Sequence, residues 1–178
     1  MIITTKASKR IVAFIVIVIA IVAVMNIYGE KDPVVNVTNT GIEIKAMYGL
    51  NVDFSEITEI CLLSESMNDI GVGTRTNGFS GFGDALKGNF RSGSVGEILL
   101  FVRVDASPTI HIKRENARDI FISFRVSDTT IALYDEIEAA FLDGFGIAAE
   151  LAGDNQTGSS KYRTRCAIKR DYVNQREG

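Results

Sequence analysis

The sequence predicts a mainly β domain closed by one helix and preceded by a single membrane-spanning segment. Three observations predict it. An uncharged apolar run occupies Ile11–Tyr28, seven short strand-like segments follow between Thr40 and Val126, and the apolar period turns helical after Ser127.

The apolar run reads IVAFIVIVIAIVAVMNIY, without charge, proline or glycine, and Asn26 is its only strongly polar residue. Eighteen residues at about 1.5 Å each reach roughly 27 Å, close to the hydrocarbon thickness of a bilayer. A helix satisfies its own backbone in lipid, so the β-branched richness of the run does not prevent it from spanning. The run exceeds the h-region of a cleaved signal, and Ile21-Val22-Ala23 and Ile27-Tyr28-Gly29 are poor cleavage sites. The expected reading is an uncleaved signal-anchor. Lys6, Lys9 and Arg10 precede it, whereas Lys31 lies between Glu30 and Asp32. That bias predicts a cytoplasmic N-terminus and an extracytoplasmic domain on a single-pass cell-membrane protein.

Strand signals follow in order. Thr40–Tyr48 alternates, with Ile42, Ile44, Ala46 and Tyr48 on one side. Gly49-Leu50-Asn51 reads as a turn into a short strand near Val52–Phe54. Ile57–Leu63 places Ile60 and Leu62 opposite Glu59 and Cys61. Residues 71–96 hold eight of the sixteen glycines and read as loop around a strand at Ala85–Arg91. Glu97–Val104 is apolar enough to be buried on both faces. Thr109–Lys113 turns Ile110 and Ile112 inward and His111 toward solvent. Asp119–Val126 puts Ile120, Ile122, Phe124 and Val126 on one face.

Ser127 or Asp128 is a fitting N-cap for the helix that follows. Leu133, Ile137, Ala140 and Phe141 recur at helical spacing, Asp135, Glu136 and Glu138 fill the solvent face, and Gly144 reads as the stop. The expected layout is a basic N-terminus at 1–10, a spanning helix at 11–28, a linker at 29–39, a domain at 40–147 and a polar, basic, disordered tail at 148–178.

Charge is partitioned along this layout. Residues 30–150 carry nineteen acidic and ten basic side chains, a net of −9, while residues 151–178 carry +3. A domain this acidic is a poor ligand for nucleic acid or an anionic lipid surface, where cations must displace counterions.

Arg75-Thr76-Asn77-Gly78-Phe79, Gly81, Gly83, Gly88-Asn89-Phe90-Arg91 and the strand after Gly96 resemble the bacterial pleckstrin-homology (PH) domain family. Ala46-Met47-Tyr48-Gly49 and Phe54-Ser55-Glu56-Ile57-Thr58-Glu59-Ile60 resemble its early strands. The resemblance spans residues 40–145. It implies a PH-like barrel or sandwich of about seven antiparallel strands in two bent sheets, capped by the C-terminal helix. It implies little about activity, since such folds bind lipid, peptide and protein alike. Lys45 stands alone near the first turn, so phosphoinositide binding is not expected.

No catalytic constellation is legible. Gly71-Val72-Gly73 lacks the Lys-Ser/Thr of a phosphate loop. His111 is the only histidine, and Cys61 and Cys166 have no His or Cys at metal-ligand spacing. Neither a metal nor a cofactor is expected, and the cysteine positions favour two unpaired thiols over a structural disulfide. The candidate partner-binding loop comprises Arg75, Asn77, Gly78, Phe79 and Arg91. Asn77-Gly78 reads either as a tight turn with Arg75 paired to a carboxylate, or as a loop presenting Arg75 and Phe79 to a partner. The leading expectation is a non-enzymatic, membrane-tethered domain that binds a protein or peptide or its own kind. The alternatives are a lipid-surface sensor using Arg75, Lys87 and Arg91, and an enzyme of unrecognised type built on the glycine-rich segment with Asp69 and Asp84.

Overall fold

A computed structural model describes residues 6–80, 83–93 and 95–151. The apolar run forms helix α1 (Lys6–Gly29), exposed along nearly all of its length. Its segment Lys9–Gly29 is 21 residues long and apolar enough to cross a membrane, a length and composition that an anchor and a signal share.

Nine strands follow among the described residues: β1 (Val34–Val37), β2 (Gly41–Lys45), β3 (Leu50–Asp53), β4 (Ile57–Leu63), β5 (Thr74–Ser80), β6 (Ala85–Ser92), β7 (Gly96–Arg103), β8 (Thr109–Arg114) and β9 (Asp119–Ile122). A short helix α2 (Met67–Ile70) separates β4 from β5, and α3 (Ser127–Leu151) closes the order. The first three strands form a meander; the other six form an open sheet in the order β4-β8-β9-β7-β6-β5.

Seven antiparallel strands were expected, and the difference has two sources. β5 carries a single apolar side chain, Phe79, and β1, read as linker, is only four residues long with adjacent valines at Val34 and Val35, so neither announces itself by alternation. β9 inserts between β7 and β8, which run in opposite directions, so it must be parallel to one of them: it is antiparallel to β8 and parallel to β7. Periodicity reports which residues share a face and is silent on strand direction.

The six-stranded sheet is covered on both sides, which makes β7 almost continuously buried from Ile98 to Arg103. One face turns Phe101, Ile110, Ile112, Ile120 and Ile122 toward the three-stranded sheet and α3. There the rings of Phe54 and Phe141 meet edge to face at 5.7 Å, and Ile137 is fully buried. The opposite face carries Cys61, Leu100 and Phe121 under Met67, Ile70 and Val72 of the α2 segment. Ser66 caps α2, its hydroxyl accepting from the Asp69 N–H while the Asp69 carboxylate reaches back to the Ser66 N–H.

Local expectations shift where the backbone has its own demands. The turn between β2 and β3 falls at Ala46–Gly49, closed by Gly49 N–H to the Ala46 carbonyl at 3.0 Å with Tyr48 at φ 68°. α3 passes through Gly144, which lies outside the left-handed conformation that would end a helix there. β9 stops at Ile122, so Val126 leaves the sheet and is 57% exposed. The expected tail lies almost wholly outside the described residues.

Candidate functional site

The glycine-rich segment is largely a hairpin of β5 on β6; a strand was expected at Ala85–Arg91, where β6 lies, and loop where β5 lies. β5 is an edge strand paired only with β6, and Thr74–Asn77 are exposed on it. Asn77 and Gly78 sit within the strand, opposite Asn89 and Gly88, so they form no turn. The left-handed residue is Gly88, at φ 110°. A register shift between Arg75 and Asn77 makes Thr76 the extra residue, and its hydroxyl donates to the Asn89 carbonyl at 3.0 Å.

The candidate residues divide in duty. Arg75 has no carboxylate at ion-pair distance among the described residues. Asn77 accepts a long hydrogen bond from the Tyr48 hydroxyl at 3.4 Å. Arg91 pairs with Glu97 at 2.9 Å, and Arg118 reaches the second oxygen of the same carboxylate at 3.1 Å. The phenyl ring of Phe79 lies against Gly29, the last residue of α1, where a methyl group would fall inside the ring. Gly29 is buried in consequence.

Lys87, grouped with Arg75 and Arg91 as a lipid sensor, is 3% exposed and donates to the Lys31 carbonyl. Burial, with the nearby charge of Arg103, holds its ammonium below the usual lysine range, although Asp32 and Glu30 pull the other way.

A second cluster joins α1 to the sheet. Arg103, at the end of β7, has a side chain only 5% exposed, yet it meets three carboxylates: Glu30 at 2.9 Å, Asp32 at 2.8 Å and Asp84 at 2.6 Å. Its guanidinium also donates to the Glu30 carbonyl. The planar five-donor fork of arginine suits this convergence, which a single ammonium could not satisfy. Glu30 further accepts from the Gly83 N–H at 3.2 Å, and Arg125 approaches Asp84 at 3.6 Å. Burial works against the Asp84 charge, but the hydrogen bond and charge of Arg103 outweigh it and hold the carboxyl below the usual range. Sequence reading missed this cluster because its members are scattered over the chain. The one available signal was Arg103 itself, a charge ending a strand otherwise apolar on both faces.

Other expectations are corrected. His111 is 7% exposed, not solvated: it stacks on Phe121 at 4.2 Å, and its Nε2 lies 2.9 Å from Asp119. Its face of the sheet is the second buried one. Cys61 is disulfide-bonded, where unpaired thiols were expected; the other cysteine, Cys166, lies outside the described residues. Asp69 and Asp84, the acids of the enzyme alternative, serve the α2 cap and the Arg103 cluster. Asp135, Glu136 and Glu138 lie on the exposed side of α3. No group of His, Cys, Asp or Glu suited to a metal ion exists among the described residues.

No protein-family model, curated protein or solved structure matches this chain.

Proposed function

We propose that this chain is a non-enzymatic, single-pass membrane protein whose domain binds an extended segment of a partner protein along the β5 edge. The observation that carries the reading is β5 itself, an edge strand at Thr74–Ser80 with its outer side unpaired among the described residues and Thr74–Asn77 exposed. An edge of this kind offers backbone donors and acceptors to an added strand, and alternate side chains supply specificity. Arg75 and Asn77 are the side chains available for that choice.

The anchor is α1, and two features support an extracytoplasmic domain. Lys6, Lys9 and Arg10 lie before the helix, with Glu30 and Asp32 after it. The disulfide at Cys61 fits an oxidising compartment. A PH-like classification adds nothing that this reading needs, since edge, anchor and orientation stand without it.

The test is site-specific photo-cross-linking in the native membrane. A photoreactive residue at position 75 or 77 is expected to give a discrete adduct, and one at exposed Glu136 on α3 to give none. An adduct of twice the chain mass would assign the partner as a second copy. Absence of adducts from β5, or equal adducts at all three positions, would overturn the proposal.

A further inference from the structure

We infer that the end of the six-stranded sheet carrying Phe79, Arg103 and Val126 is a bilayer-contact surface, with Phe79 seated in the lipid interfacial layer. The inference rests on the reading of α1 as a membrane anchor and adds a partner surface to it.

The junction between helix and domain has no slack. Gly29 is buried against Phe79; Glu30 is held by Arg103 and the Gly83 N–H; the Lys31 carbonyl is held by Lys87; Asp32 is held by Arg103. Four successive residues are thus fastened to β5, β6, β7 and the turn before β6. The apolar run ends in Tyr28, 63% exposed, with the Lys31 ammonium 4.5 Å above its ring. Tyrosine with a neighbouring lysine is the side-chain pair that marks the lipid–water boundary. One residue along a helix advances only about 1.5 Å. Phe79, touching Gly29, is therefore at the depth of that boundary.

Val126 belongs to the same end. Its neighbour Arg125 reaches Asp84, which is bound to Arg103. Nothing in the sheet covers Val126, which is 57% exposed. Charges around the junction are mixed: Glu30, Asp32 and Asp84 stand against Arg103, Lys31 and Arg125. Such a surface fits a zwitterionic headgroup layer and gains nothing from anionic lipid.

The chain contains no tryptophan, so one introduced indole reports its own depth. The full-length variants Val126→Trp and Phe79→Trp are reconstituted in phosphatidylcholine vesicles containing nitroxide-labelled lipid. Arg118→Trp is the control; Arg118 bonds Glu97, six residues along β7 from Arg103 and about 20 Å away at strand spacing. Positions 126 and 79 are expected to be quenched at least threefold more than 118. Combining Val126→Trp with Glu30→Gln and Asp32→Asn is expected to halve that quenching while the far-ultraviolet circular dichroism is unchanged. Carbonate-resistant protein with equal quenching at 126 and 118, or quenching that requires anionic lipid, overturns the inference alone. Protein extracted by carbonate overturns the anchor reading with it. Neither result touches cross-linking at β5.

Discussion

The guanidinium of Arg103 binds the carboxylate of Glu30 at 2.9 Å, joining the end of β7 to the first residue after the apolar helix. With Asp32 and Asp84 on the same guanidinium, one arginine fastens the junction. Removing one partner of a buried ion pair costs about 3–5 kcal/mol, less where the remaining charges reach solvent. The three carboxylates are 27%, 40% and 39% exposed. Arg103→Met is therefore expected to destabilise the domain by about 2 kcal/mol, read from the urea midpoint. Arg103→Lys should recover less than half, because one ammonium cannot reproduce the fork. A midpoint unchanged in Arg103→Met would mean the cluster orients the domain without stabilising it.

The same cluster predicts an acid limit. The Asp84 carboxyl is held below its ordinary value by Arg103 against the cost of burial. A carboxyl depressed by folding adds stability that is complete above its unfolded pKa of about 4 and is lost as pH falls through the lower folded value. Unfolding free energy should thus decline as pH drops below about 4, and Asp84→Asn should flatten that decline. An identical slope in wild type and variant would show that other carboxyls govern the acid transition.

Thr130 tests how α3 is registered on the sheet. It is fully buried, and its hydroxyl oxygen accepts from the Phe124 N–H at 3.1 Å. Thr130→Val keeps the shape and strands that buried donor, which costs about 1–3 kcal/mol. Thr130→Ser keeps the acceptor and should lose less than Thr130→Val. Chemical denaturation of the two variants side by side distinguishes the lost bond from lost packing. A larger loss in Thr130→Ser than in Thr130→Val would assign the effect to the missing methyl.

What was legible beforehand follows from what each kind of residue reports. Ile57–Leu63 declared itself as a strand because Ile60 and Leu62 alternate with Glu59 and Cys61, and β4 has those bounds, although both of its faces are covered. Leu133, Ile137 and Phe141 declared the helix in the same way. β5 was illegible because an edge strand exposed on both faces needs no apolar period, and Asn77-Gly78 mimicked a turn. His111 was misread because alternation assigns opposite faces but cannot say that both are covered. The Arg103 cluster was invisible for a different reason: pairing between Glu30 and a residue 73 positions later is written in the topology alone. Of the expected candidate loop, Arg75 and Asn77 remain available to a partner, Phe79 belongs to the junction, and Arg91 is paired with Glu97.

Cys61 turns the orientation into a measurement. It is buried and disulfide-bonded, and a disulfide persists in oxidising compartments. The N-terminus-inside reading predicts that intact cells show no labelling by a membrane-impermeant maleimide until an impermeant phosphine reductant is added. Cys61→Ser leaves Cys166 as the chain's only thiol, and that thiol should react without reductant. The variant should also lose about 2–4 kcal/mol of stability, the typical range for removing a disulfide. Labelling of the unreduced wild type would show that the thiols are free. Labelling that requires permeabilised cells would place the domain in the cytoplasm, and the positive charges at Lys6, Lys9 and Arg10 would then have failed to set the topology.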